Sequence, residues 1–300
     1  MSAKFYRTSV FVLLFLGVVG ISSIGINLIS RYGRTQQTKQ LQQASEQLAQ
    51  GQYVSAIAIY DELLETDFSQ PEILWSNRGY AYLGSQQYQA ALASCQQAIT
   101  LDAKLALAWN CQGEAQFYLG NNSAAQTAFQ RAIAIEPKNT TYQLNQSQVL
   151  QNLGQHRQAL ELNQKAIATL ESQQSPPTQT LALAFKRQGQ SWLEIGKNKE
   201  ALSAFKTSLE HQPEDLATQL GKAISLYRLG KYELAIKTLD KILSRQDLTP
   251  QQQATGWLYQ GISLCQTPKS SAADRAFDRV IKLSQNPEHQ KIARAGCGIK

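Results

Sequence analysis

Seven alanines recur along this chain at nearly constant intervals: Ala56, Ala91, Ala125, Ala159, Ala201, Ala235 and Ala273. Their separations are 35, 34, 34, 42, 34 and 38 residues. Eight residues after each stands Leu64, Ile99, Ile133, Ile167, Leu209, Leu243 or Ile281. Twelve residues before each stands a small side chain: Ala44, Gly79, Gly113, Ser147, Gly189, Ala223 or Gly261. A chain with a fixed period of about 34 residues builds its core by stacking neighbouring units, because no single unit can bury its apolar face alone.

Within each period the apolar residues follow helical spacing, and short turn sequences such as Leu-Gly-Ser-Gln-Gln-Tyr and Arg-Leu-Gly-Lys-Tyr interrupt them. Each unit therefore reads as helix A, turn, helix B. Antiparallel helices packed about 8–10 Å apart need Gly or Ala where their backbones cross, which gives the recurrent small residues a physical task. Trp75, Trp109, Phe185 and Trp257 supply bulk early in helix A, and Phe129, Phe205 and Phe277 supply it in helix B. Pro137 and Pro213 end helix B, since a helix interior does not tolerate proline.

On these residues the chain resembles the tetratricopeptide repeat family. The match is fullest over 106–139, where Trp109, Gly113, Gly120, Ala125, Phe129, Ala132 and Pro137 fall at or beside the consensus places. Seven repeats are counted, at 37–70, 72–105, 106–139, 140–173, 182–215, 216–249 and 254–287. The resemblance implies an all-α fold, a right-handed superhelix (α-solenoid) of helix pairs with helix A lining a concave face. That face is then expected to present Asn77, Tyr80, Asn110, Glu114, Phe117, Tyr118, Gln148, Lys186, Gln190, Tyr227 and Arg228. Aromatic rings beside amides suit an extended peptide or a partner's helix, because rings offer contact area at low entropic cost and amides bond to backbone. Members of the family that bind chaperone C-termini hold a carboxylate with a Lys/Asn/Arg clamp. Here Asn145 and Arg187 fall on clamp positions, but Asn110, Glu114 and Leu183 break the pattern, and Glu114 would repel a carboxylate.

The pattern is weakest in the fourth repeat. Gln143, His156 and Asn163 stand where an aromatic or apolar residue is expected, and the loop-like stretch 172–180 follows. The segment 288–300 is short and interrupted by Gly296 and Gly298, so it reads as a tail or a partial capping helix.

The N-terminus differs in kind. Residues 1–8 form a basic tail, and 9–30 are an uncharged, largely apolar run of the length that spans a bilayer core. That run is read as an uncleaved signal anchor, with 31–36 as a linker to the array over 37–287. The reading makes the protein a single-pass membrane protein. Flanking charges leave its side open, although anchors of this type usually export the following domain.

Of the net charge of +7, residues 1–34 carry +4, so the pI of about 9.2 reflects the terminus and no dense basic stripe suggests nucleic acid. The four cysteines form no CxxC pair and read as small core fillers. The three histidines lie far apart, and no P-loop, GxSxG, GxGxxG or HExxH motif occurs, so neither catalysis nor a metal or cofactor is expected. The sequence thus points to a membrane-anchored, non-catalytic scaffold that binds a protein partner through its groove. Self-association through a poorly covered C-terminal end, or service as a regulatory subunit of a membrane enzyme, remain its alternatives.

Overall fold

The computed structural model describes residues 36–298. Over that range the chain forms fifteen α-helices and two short 3-10 turns, with no strand among the described residues. In order these are α1 (Gln36–Ala49), α2 (Tyr53–Leu64), α3 (Pro71–Gly84), α4 (Tyr88–Leu101), α5 (Ala106–Tyr118), α6 (Asn122–Ile135) and α7 (Thr140–Asn152). There follow α8 (His156–Glu171), α9 (Thr178–Glu194), α10 (Asn198–His211), α11 (Leu216–Arg228), α12 (Tyr232–Leu243), α13 (Pro250–Leu264), α14 (Ala273–Leu283) and α15 (Pro287–Ala295). The chain divides into two compact units, one up to Gly154 and one from Gln155. The division falls within the fourth repeat, between α7 and α8. Inside each unit every helix packs on its sequence neighbour, and in places on the next helix but one, as helix-pair solenoids do.

The periodic small residues sit where the backbones come closest. All seven recurrent alanines are fully buried. A Cβ added at Gly113 would lie 2.6 Å from the Phe129 ring, one at Gly189 would lie 2.7 Å from Phe205, and one at Gly261 would lie 2.6 Å from Phe277. The ring of helix B is thus pressed into a notch that only glycine leaves open. Phe205 also reaches Gly221 of the next repeat, whose added Cβ would stand 2.6 Å from the ring.

In the second repeat the equivalent of that phenylalanine is Cys95, and the cysteines are not the separate thiol fillers expected from sequence. Cys95 on α4 is bonded to Cys111 on α5, with Cα atoms 5.8 Å apart. A Cβ on Gly79 would meet both sulfurs, at 2.6 and 2.8 Å. A disulfide therefore fills the notch that a ring fills elsewhere. Cys265 and Cys297 form a second bridge, with Cα atoms 5.2 Å apart.

In six of the seven repeats helix A turns into helix B through a left-handed residue, which is glycine at positions 51, 120, 154, 196 and 230. In the second repeat that residue is Gln86, at φ 62°. The glycine visible in its turn sequence, Gly84, serves differently: it is the last residue of α3, and the Tyr53 ring occupies the space a Cβ would need.

Two of the polar departures of the fourth repeat lie in the core, while His156 is half-buried. Gln143 is 5% exposed and donates from Nε2 to the Pro137 carbonyl at 2.7 Å, while its Oε1 has no partner. Asn163 is fully buried and donates weakly to Ser191 Oγ at 3.5 Å, with its Oδ1 unpaired.

At the C-terminal end α15 brings Ile292 and Ala293 into one apolar cluster with Leu258, Leu264 and Phe277 of the last repeat. The single-pass membrane reading is corrected. Among the described residues no helix is long and apolar enough to cross a membrane, and the 9–30 run on which that reading rested lies outside the described residues.

Replacing Gln86 with Gly relieves a left-handed backbone that an L side chain adopts only at a cost, so Gln86→Gly should stabilise the protein by about 0.5–1 kcal/mol. Urea unfolding of the two proteins checks this, with an unchanged or lower midpoint counting against it.

Candidate protein-binding faces

In the first unit the helix A face is built on α3, α5 and α7. Three of the residues expected to meet a partner there are core residues instead. Asn77 is 4% exposed, and Tyr80 and Asn110 are 1% exposed, so a docked chain would not reach them. Tyr80 and Asn110 form a ladder between repeats, whereas Asn77 Oδ1 has no hydrogen-bond partner. The Tyr80 hydroxyl donates to the Leu107 carbonyl at 3.2 Å and accepts from Asn110 Nδ2 at 2.7 Å. Asn110 Nδ2 also donates to Glu114 Oε1 at 2.7 Å. Asn145 Nδ2, from the following repeat, donates to Asn110 Oδ1 at 3.1 Å and to Glu114 Oε1 at 3.0 Å. Burial first, and the Glu114 charge second, push the Tyr80 phenol well above its ordinary pKa, so it remains a neutral donor.

Outside this ladder the face opens. Glu114 is half-buried and Tyr118 is 54% exposed. Residues four apart share one side of a helix, so Asn110, Glu114 and Tyr118 make a stripe on α5 that runs from the core to the surface. Tyr118 stacks on Tyr88 of α4, with ring centroids 4.9 Å apart and planes 11° apart. Phe117 meets Tyr118 edge-on at 5.5 Å but packs inward, with Phe129 and Val149. On α7, Gln148 is half-buried and donates to Asn152 Oδ1 at 3.4 Å.

The second unit has a different face. Lys186 of α9 is half-buried and paired with Asp215 at 3.3 Å. That carboxylate also caps α11, accepting from the backbone N–H of Thr218 at 3.2 Å and from its hydroxyl. Arg228 is exposed yet tethered, its Nη1 donating to the Leu193 carbonyl at 2.6 Å. Tyr227 is half-buried among Tyr232 and Tyr259, at centroid distances of 5.9 and 5.8 Å, and Gln190 is half-buried on α9. Lys186 and Arg228 are therefore already engaged within the fold.

The expected set omitted Tyr88, Tyr232 and Tyr259, which complete the aromatic clusters. A signal for two of them stood in the sequence: tyrosine opens helix B at 53, 88 and 232. Tyr53 and Tyr88 lie against the last residue of the next helix A, Gly84 and Tyr118, whereas Tyr232 packs on Tyr227 of the helix A before it.

Tetratricopeptide repeat family models match residues 41–106, 106–139 and 193–255, together more than half of the chain. The chain belongs to the tetratricopeptide repeat family. Mouse tetratricopeptide repeat protein 28 is 37% identical over 100 residues, which is 33% of this chain and 4% of that protein. Human tetratricopeptide repeat protein 12 is 32% identical over 97 residues, or 32% of this chain and 14% of that protein. The chain thus spans a small part of the curated relatives it matches. Among solved structures, a chain of the APC/C hetero-tetramer Cut9–Hcn1 superposes with a TM-score of 0.70 at 16% identity, covering 98% of this chain and 55% of that one. At that identity the likeness concerns the repeat fold alone, an all-α solenoid of a kind that generally serves as a protein-interaction scaffold.

Because Tyr80 belongs to the ladder, Tyr80→Phe should lower stability by about 1–2 kcal/mol, leaving the Leu107 carbonyl and the Asn110 amide short of a partner. Partner affinity at saturating folded protein should stay within about twofold of wild type, as expected for a group outside the contact. Denaturant titration and a binding isotherm on the same variant check the two halves.

Proposed function

We propose that this chain is a non-catalytic scaffold that receives an extended segment of a protein partner on the helix A face of its first unit. The observation that carries the reading is the stripe of Glu114 and Tyr118 on α5, where a carboxylate lies four residues from an aromatic side chain that is 54% exposed. An exposed ring already held by stacking loses little freedom when a partner covers it, which favours binding. Glu114 Oε1 accepts from the neutral amides of Asn110 and Asn145, and its negative charge is the complement of a basic side chain on the partner.

The same geometry argues against a carboxylate-ended ligand. Asn145, one of the two residues on clamp positions, spends its amide donors on Asn110 and Glu114. A terminal carboxylate arriving there would meet the Glu114 charge in place of a lysine. The segment favoured by this face is internal, carries a basic residue, and sets an apolar or aromatic side chain about one helical turn away.

Two variants test the proposal with little risk to the fold. Tyr118→Ser removes the exposed ring and should weaken partner binding about tenfold, equivalent to about 1.4 kcal/mol. Glu114→Gln keeps the acceptor for both amides while removing the charge; it should weaken binding several-fold and flatten its salt dependence. Quantitative co-purification across a salt series reads both effects. Retention of full binding by the folded Tyr118→Ser protein would remove this face from consideration.

A further inference from the structure

The two disulfides sit in opposite environments. Cys95 and Cys111 are both fully buried, and Gly79 closes over their sulfurs. Cys265, directly after α13, is half-buried, and Cys297, in the 3-10 turn Gly296–Gly298, is exposed. A thiolate must reach a disulfide sulfur to react with it, so access separates the two bridges before any other property does.

What the exposed bridge restrains is also distinctive. It joins positions 32 residues apart and ties the end of α15 back to α13. The helix has nine residues, and Ala293 is its buried one. Helices shorter than about 12–15 residues are marginal in water without tertiary support. Local support for α15 includes its Asn286 cap, which accepts from the Glu288 and His289 backbone N–H groups at 2.9 and 3.4 Å, Gln290 Nε2 donating to the Ser284 carbonyl at 2.7 Å, a Ser284 Oγ–His289 Nδ1 contact at 3.4 Å, and the exposed Arg294–Gln290 and Lys291–Glu288 pairs. At the far end Gly296, at φ 58°, breaks the helix and turns the chain so that Cys297 reaches Cys265. Ile292 and Ala293 meanwhile cover Leu258, Leu264 and Phe277.

We propose that Cys265–Cys297 is a reducible latch that holds α15 over the end of the repeat array, while Cys95–Cys111 is a permanent core element. The reductant is a dithiol. Its thiolate attacks the exposed Cys297 sulfur and expels the Cys265 thiolate; its second thiol then resolves the mixed disulfide. Two electrons and two protons pass to the two cysteines, and the dithiol leaves as its own disulfide. With the tether cut, α15 keeps a cap and two apolar contacts, and the apolar end of α13 and α14 becomes intermittently exposed.

The test uses the full chain purified without reductant, treated in native buffer with dithiothreitol, and followed by maleimide labelling with peptide mapping and by hydrogen exchange. No labelling is expected at the start. Cys265 and Cys297 should then become labelled at least ~100-fold faster than Cys95 and Cys111, which open only with the core. Protection across 287–295 should fall at least ~10-fold on reduction while that of 250–264 holds, as local opening predicts. Cys297→Ser should show the loosened α15 with no reductant present and should not respond to one at that helix. Free thiols at 265 and 297 from the outset, equal reduction rates for the two pairs, or unchanged protection of α15 after reduction would each overturn the proposal.

Discussion

The close approach of helix A to helix B through a small residue is the contact on which the rest of this structure depends. At Gly113, Gly189 and Gly261 the partner ring stands where a Cβ would be, so the helices cannot be held at this distance with any larger residue. Dense packing follows, and with it the burial of every recurrent alanine. The second repeat meets the same constraint by other means, since Cys95–Cys111 occupies the space over Gly79 that a phenyl ring occupies elsewhere. Ring and disulfide are alternative ways of filling one notch.

That packing decides which polar residues can face a partner. Where helix A of one repeat meets helix A of the next, Tyr80, Asn110 and Asn145 are drawn into hydrogen bonds that couple repeats, and Tyr80 and Asn110 cease to be surface groups. Glu114 sits at the edge of this ladder, and Tyr118 lies beyond it, on the same side of α5. The candidate binding face is therefore the outer margin of an interior network. In the second unit the corresponding residues are spoken for: Lys186 by the carboxylate that caps α11, and Arg228 by a backbone carbonyl.

Much of this was legible in the sequence. Period, helix pairing and the small-residue positions follow from side-chain volume and spacing, which are properties of local sequence; Pro137 and Pro213 correctly marked where α6 and α10 stop. The burial of Asn77, Tyr80 and Asn110 was not legible, because a repeat position fixes the side of the helix and not the depth to which the neighbouring helix covers it. The disulfides were missed for a related reason. Cys95 and Cys111 are 16 residues apart, and Cys265 and Cys297 are 32 apart; only the three-dimensional path, including the turn at Gly296, brings each pair together. Gln86 shows the converse, where the fold imposes a left-handed turn on a sequence that does not advertise it.

The central claim, that partners meet the outer stripe of α5 and not the interior ladder or the opposite helix B surface, is tested most directly by photocrosslinking from single positions. A benzophenone side chain placed at position 118 should capture the partner, and the same group at Val54, which is 76% exposed at the start of α2, should not. Capture from position 54 with none from position 118 would contradict the account.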